Sequence, residues 1–150
     1  MLDMILSATP YAGLFAISFL AATVVPAQSE VVLSAMLWSG RYDTILLLAT
    51  ATAGNTLGSC VNWLLGRFVE HFRESRWFPV SPAKLARAEA WYAKWGRWSL
   101  LLSWTPIIGD GLTLAAGLLR TPFYIFFVLV LIAKGGRYLA VAGAMGVLTQ

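Results

Sequence analysis

The chain is poor in the residues that form most metal centres and catalytic sites. Its 150 residues include one cysteine, Cys60, and one histidine, His71, and 12% of them are charged. A single cysteine excludes an internal disulfide bond. One cysteine and one histidine also leave no pattern typical of a metal site or of a nucleophile with its base. We therefore predict no metal, no cofactor and no enzymatic activity.

Apolar residues are abundant instead. Hydrophobic residues make up 59% of the chain and include 7 tryptophans, a residue type enriched at membrane surfaces. This composition predicts one all-α integral membrane domain over 1–150. Residues 67–97 hold seven of the eleven lysines and arginines. The positive-inside rule explains such a cluster and favours a cytoplasmic position for it, so we expect no nucleic-acid partner.

Two apolar runs break at a proline and carry a carboxylate four residues later. The first break has Pro26 and Glu30, and the second has Pro106, Gly109 and Asp110. A carboxylate within apolar sequence is costly to bury in a membrane and is a candidate functional group. We interpret Glu30 and Asp110 as transport or proton-coupling residues, and the prolines with Gly109 as the points where helices break.

The apolar pieces around each proline are too short to cross a bilayer. Residues 11–25 are 15 residues long, whereas a spanning helix needs about 20. We predict re-entrant helical hairpins at about 8–40 and 97–120, which are tolerated at depth when protein or a wet cavity covers them. The alternative for the first is one full helix from about Leu6 to Val25, followed by a loop.

Two longer segments, about 44–66 and 122–148, are predicted to span the membrane. With one span between them, the hairpins must open to opposite sides, which makes an inverted repeat of the kind found in secondary transporters. The basic connection 67–96 contains Ser81-Pro82, a good helix start, and then an amphipathic helix, Ala83–Trp95. We expect this helix to lie in the membrane interface.

Polar residues within the first span share one helix face. Asn55, Ser59 and Asn62 recur at steps of three and four, which predicts a polar cavity wall. Ordinary helix packing is the alternative. Gly54 and Gly58 beside this face form a GxxxG pair, which suits either an internal helix contact or a homo-oligomer.

The second span carries two cations, Lys134 and Arg137, three residues apart and therefore on one side of a helix. At that depth they require anionic partners. Glu30 and Asp110 are the carboxylates in comparably apolar sequence, so we predict that they pair with these cations. The alternative is that both cations snorkel to a membrane boundary.

Several of these segments resemble the DedA (SNARE-associated, VTT-domain) membrane proteins, particularly the short YqaA-like branch. The resemblance rests on motifs along nearly the whole chain: Pro26-x-x-Ser-Glu30, Gly54-Asn-Thr-Leu-Gly58, the segment from Leu100 to Asp110, and Lys134-x-x-Arg137-Tyr138. It implies two facing re-entrant hairpins in the bacterial inner membrane. It also implies movement of phospholipids or polyprenyl-phosphate lipids, with coupling to protons, and it aligns Glu30 with the family's acidic residue in the first hairpin.

The chain departs from that family near the second proline. Typical members have an arginine on each side of it, and here Ser103 and Asp110 occupy that neighbourhood. Without these two arginines, a lipid phosphate would be bound by other residues, for example by Lys134 and Arg137. We therefore expect a lipid transporter, flippase or scramblase. The alternative is a structural membrane protein whose buried ion pairs fix the helix register.

Overall fold

A computed structural model of the chain describes residues 2–23, 28–68, 81–105 and 108–146. All regular elements in this part of the chain are helices, which confirms the predicted all-α class. Pro26 and Pro106 lie outside the described residues. The elements, in chain order, are α1 (Leu2–Ala21), α2 (Gln28–Ser39), α3 (Thr44–Arg67), α4 (Pro82–Trp95), a 3₁₀ helix (Gly96–Trp104), α5 (Gly109–Leu118) and α6 (Phe123–Ala144).

Helices α3 and α6 are long and apolar enough to cross a membrane. With 24 and 22 residues they extend about 36 and 33 Å. The side chain of Asp43 caps α3 by accepting a hydrogen bond from the backbone N–H of Leu46 at 2.8 Å. Helix α6 continues through Gly135 and Gly136, so the cations on either side of these glycines remain on one helix.

Helix α1 is longer than the predicted half-length piece. It begins at Leu2, includes Pro10 and ends at Ala21, four residues before Val25. An internal proline removes one backbone hydrogen bond and need not end a helix. At the other end, the Thr23 hydroxyl donates to the Leu20 carbonyl at 3.0 Å and satisfies one of the last free acceptors. The helix thus begins before both predicted starts, Tyr11 for the short piece and about Leu6 for the full helix, and its 20 residues match the length of the alternative of one full helix.

The segment before the second break is a 3₁₀ helix of nine residues, Gly96–Trp104. This length is unusual, because 3₁₀ runs above three or four residues are uncommon. A 3₁₀ helix rises about 2.0 Å per residue, so nine residues cover about 18 Å rather than the ~14 Å of an α-helix. Hydrophobic periodicity alone did not distinguish the two helix types.

In each of two helix pairs, a hydrogen bond joins the end of the pair to an earlier helix. After α2 the backbone N–H of Asp43 donates to the Tyr11 hydroxyl, near the middle of α1, at 3.2 Å. After α5 the chain returns to α4, where the hydroxyls of Tyr92 and Thr121 share a hydrogen bond. We call α1 with α2 the N-terminal unit, and the 3₁₀ helix with α5 the C-terminal unit.

Glycines bring the N-terminal unit into backbone contact with α3. A Cβ atom added at Gly54 or Gly58 would collide with the carbonyl oxygens of Phe15 and Phe19 in α1, respectively. The GxxxG pair therefore serves an internal helix contact. This resolves the choice that the sequence left between an internal contact and an oligomer.

A second pair of glycines brings the C-terminal unit into backbone contact with α3. A Cβ atom at Gly66 of α3 would collide with the carbonyl of Leu114, and one at Gly117 of α5 would collide with the carbonyl of Trp63. Helix α3 is thus the central element. One half of it touches the N-terminal unit, and the other half touches the C-terminal unit.

The amphipathic helix α4 packs against α5 through small residues. Ala88 is fully buried against Leu112 and Ala115. Ser81 is its N-cap, as the sequence predicts, and Trp95 is 56% exposed. An exposed tryptophan on a basic helix suits a membrane interface.

Candidate functional site

Two carboxylates and two cations meet at the middle of α6. Glu30 lies in the first turn of α2 and Asp110 in the first turn of α5, so each short helix begins with an acidic residue. Arg137 donates a hydrogen bond to Glu30. The Lys134 ammonium lies 3.9 Å from a carboxylate oxygen of Asp110. The structure therefore places each cation against one of the two carboxylates.

Tyr138 extends this site toward the first span. Its hydroxyl accepts a hydrogen bond from the Asn55 side chain at 2.8 Å and shares one with Ser29 at 3.0 Å. Tyr138 is fully buried, so these contacts satisfy a phenol that would otherwise be costly to bury. We did not single out Tyr138 or Ser29 as site residues. The sequence signal that could have indicated them is their position, because Tyr138 follows Arg137 and Ser29 precedes Glu30.

Asn62 connects both units to α3. Its side-chain amide donates to the carbonyl of Ala22 at 2.7 Å and to the Thr113 hydroxyl at 3.4 Å. The Thr113 hydroxyl in turn donates to the backbone carbonyl of Asp110 at 2.8 Å. One asparagine therefore links the end of α1 to the first turn of α5.

The predicted polar wall is a buried layer between helices. Asn55, Ser59 and Asn62 are at most 2% exposed. The Ser59 hydroxyl donates to the Asn55 carbonyl of its own helix at 3.1 Å. The side-chain oxygens of Asn55 and Asn62 have no hydrogen-bond partner among the described residues. Unpaired buried acceptors are rare in proteins and mark a place where a donor can be added.

Gly109 lies in the second break and is the first residue of α5. A Cβ atom there would collide with the Ser103 carbonyl, so a side chain at this position would open the turn. The Gly109 N–H donates to the Thr105 carbonyl at 3.0 Å. The Ser103 hydroxyl, beside this turn, is buried without a hydrogen-bond partner in the described structure.

Lys134 is the most unusual group in the site. Its side chain is 3% exposed. Within the described ranges, its ammonium has one polar contact, to Asp110, and 3.9 Å is beyond hydrogen-bond distance. A buried ammonium carries three donors and is costly without hydrogen bonds. Within the described residues, Lys134 therefore has donor capacity available for an anionic group.

Comparisons with known proteins give one family and close relatives. The VTT domain family matches residues 25–146. The chain is 44% identical over 132 residues to "Inner membrane protein YqaA" of Escherichia coli K12 and to the protein of that name in Shigella flexneri, covering 88% of each chain. It is 34% identical over 134 residues to a Haemophilus influenzae protein described as uncharacterized, covering 85% of this chain and 82% of that one. No solved structure gives a significant match.

Proposed function

This chain belongs to the VTT domain (DedA, SNARE-associated) family, and we propose that it moves phosphate-bearing lipids across the bacterial inner membrane. It is a multi-pass inner membrane protein: two relatives at 44% identity are named inner membrane proteins, and α3 and α6 are long enough to span. The proposal is for transport rather than catalysis. Its substrate class is a phospholipid or a polyprenyl phosphate.

The observation that carries the proposal is the state of Lys134. A headgroup that crosses hydrocarbon needs a polar contact at depth, while its acyl chains can stay in lipid. Lys134 is a buried cation whose donors lack hydrogen bonds within the described residues. A phosphate oxygen is a strong acceptor for an ammonium group. Lys134 is therefore the phosphate-binding residue of the proposal.

The proposed path runs along two re-entrant units of opposite orientation. Two contacts support this arrangement, because the chain returns to Tyr11 after α2 and to Tyr92 after α5. One long helix, α3, separates the units, so their open ends would face opposite sides of the membrane. Each unit would supply half of the path for the headgroup. Asn62, which contacts both units, would then lie where these two halves meet.

The carboxylates would control access to the cations. A proton taken up by Asp110 would remove the counter-charge of Lys134 and free it for a phosphate. Glu30 accepts a hydrogen bond from Arg137, so a proton there would release the guanidinium in the same way. Proton coupling in this form assigns a role to each carboxylate without an additional ligand.

A structural role is the second candidate, and the polar contacts of the N-terminal unit favour it. Glu30 with Arg137, and Ser29 with Tyr138, join α2 to α6 by hydrogen bonds within the protein. Such contacts fix the position of one helix against another and need no substrate. Under this alternative Glu30→Gln abolishes folding. Under the transport proposal it leaves a folded protein that no longer transports.

The test is lipid movement in liposomes that contain the purified protein. A fluorescent phosphatidylglycerol is placed in both leaflets, and a membrane-impermeant reductant quenches the outer one. Wild type is compared with Lys134→Gln and Glu30→Gln, after all are shown to be folded. Gly136→Ala is the matched control on the same helix, since a Cβ atom there has no neighbour within 4 Å.

We expect wild type and Gly136→Ala to expose the inner-leaflet lipid and Lys134→Gln to be at least tenfold slower. Unchanged transport by folded Lys134→Gln contradicts the role of Lys134. If wild type moves neither phosphatidylglycerol nor a polyprenyl phosphate, transport is rejected and the structural role stands.

A further inference from the structure

A second cationic site lies outside the polar centre, where α4, the 3₁₀ helix and α6 approach one another. It is a cavity of about 510 Å³ whose lining includes Tyr92, Arg97, Trp98, Arg120 and Ile125. This volume is within the range of small-ligand sites in proteins. None of the residues assigned to the transport path lines it.

Among the described residues, neither arginine of this cavity has an anionic partner. Arg97 and Arg120 are exposed, and the ion pairs found among the described residues involve neither of them. Two guanidinium groups facing one cavity repel each other unless an anion lies between them. Arginine matches the oxygens of a phosphate group particularly well, because its donors form a planar fork.

Arg120 occupies a backbone conformation that usually belongs to glycine. Its φ is +56°, and it follows the end of α5, where the N–H groups of Arg120 and Thr121 donate to the carbonyls of Gly117 and Ala116. Glycine is the usual residue at this position of a helix C-terminus. Arginine there is costly to the fold, and this cost is explained if its guanidinium binds a ligand.

The apolar part of the cavity points to a lipid rather than to a soluble anion. Trp98 and Leu119 line it and are 62% and 49% exposed, respectively. Trp63 donates to the Thr121 carbonyl at 3.2 Å, so the cavity lies at the end of α3 that continues into the basic connection. The positive-inside rule puts this end at the cytoplasmic leaflet, whose lipids are partly anionic.

We propose that the cavity between Arg97 and Arg120 binds the phosphate headgroup of an anionic phospholipid, which stays in place as a bound lipid. Its acyl chains would run past Trp98 and Leu119 into the bilayer. This site is independent of the transport proposal, because it is at the surface and uses neither Lys134 nor Asp110.

The test is thermal unfolding of the purified chain in a non-ionic detergent with added lipid. Dioleoyl phosphatidylglycerol is titrated against dioleoyl phosphatidylcholine and against inorganic phosphate at constant ionic strength. The cavity variant is Arg97→Gln with Arg120→Gln. The matched control is Arg87→Gln with Lys94→Gln, which removes the same charge from exposed positions of α4 that do not line the cavity.

We expect phosphatidylglycerol to raise the Tm of wild type and of the control. In the cavity variant, this increase in Tm should be less than half as large. Arg120→Gly should raise the Tm without lipid and reduce the lipid shift. Equal shifts with phosphatidylcholine, or equal losses in both double variants, overturn the site. A full shift with inorganic phosphate alone overturns the lipid assignment.

The same measurement separates this proposal from the transport function. Lys134→Gln should keep the part of the phosphatidylglycerol shift that the cavity variant loses, and the cavity variant should keep its transport in liposomes. Loss of the whole shift in Lys134→Gln would show that the stabilising lipid binds in the polar centre alone, which contradicts the cavity.

Discussion

The N-terminal and C-terminal units are built alike and differ in how their carboxylates meet the cations of α6. Each unit meets α3 through glycines and directs one carboxylate to α6. In the N-terminal unit, Glu30 accepts a hydrogen bond from Arg137. In the C-terminal unit, Asp110 lies 3.9 Å from Lys134. Each unit also has one hydroxyl that is buried without a partner in the described structure, Ser18 in α1 and Ser103 in the 3₁₀ helix.

This difference suggests a division of labour. Hydrogen bonds from Arg137 to Glu30 and between Ser29 and Tyr138 hold α2 against α6. A buried lysine whose ammonium has no hydrogen bond among the described residues has capacity for a ligand, at a cost in stability. We therefore propose that the N-terminal unit anchors α2 and carries the proton-coupling carboxylate Glu30, whereas the C-terminal unit binds the headgroup.

The largest expected effect comes from removing one carboxylate from each unit in turn. Asp110→Asn leaves the Lys134 charge buried without its partner and should lower the free energy of unfolding by about 3–5 kcal/mol. Glu30→Gln keeps an acceptor for the less buried Arg137 and should cost about 1.5–3 kcal/mol. Denaturant titration in mixed micelles measures both values. A larger loss for Glu30→Gln would reverse the assignment.

A double variant checks the cause of this loss. Asp110→Asn combined with Lys134→Met removes the unpaired charge, so it should recover most of the stability lost by Asp110→Asn alone. If the double variant is no more stable than the single one, the loss has another origin than the stranded ammonium.

Overpacking at the glycine contacts should have the next largest effect. Gly58→Ala tests the contact of α3 with the N-terminal unit, and Gly117→Ala tests the one with the C-terminal unit. Both introduce a Cβ atom against a backbone carbonyl and should cost about 1–3 kcal/mol. Gly136→Ala, with open space around it, should stabilise α6 by about 0.5–1 kcal/mol. Equal behaviour of all three variants would exclude close packing as the reason for these glycines.

The sequence predicted the elements with strong local signals. Hydropathy and length indicated α3 and α6, and Ser81-Pro82 indicated the start of α4. The need of a buried cation for a counter-charge led from Lys134 and Arg137 to two distant carboxylates, and both ion pairs are present.

Features that depend on tertiary contacts were not predictable in the same way. The 3₁₀ helix has the same apolar composition as a short α-helix, and α1 continues past a proline whose effect depends on context. The partners of Asn62, Ala22 and Thr113, lie 40 and 51 residues away along the chain. A helix face can be read from spacing, but the atoms that meet it cannot.

The link between the two units should be measurable at Asn62. Asn62→Ala removes a donor from the Ala22 carbonyl and from the Thr113 hydroxyl, so it should cost about 1–3 kcal/mol. Thr113→Val keeps the shape and removes the weaker contact of Asn62 together with the bond from the Thr113 hydroxyl to the Asp110 carbonyl, so about 0.5–1.5 kcal/mol is expected. The same unfolding assay compares them. A Thr113→Val effect larger than that of Asn62→Ala would contradict the view that the amide holds both units.

The most direct test of the central claim is the distance between lipid phosphorus and the lysine side chains. Lys84, Lys94 and Lys134 are the lysines of the chain, so ¹⁵N-lysine labelling gives few signals. Solid-state NMR recoupling of ¹⁵N with ³¹P in phosphatidylglycerol liposomes would detect an ammonium in contact with a phosphate. We predict ³¹P-dependent dephasing of a lysine signal that disappears in Lys134→Gln. Dephasing confined to signals that persist in Lys134→Gln would assign phosphate contact to the surface lysines and contradict the account.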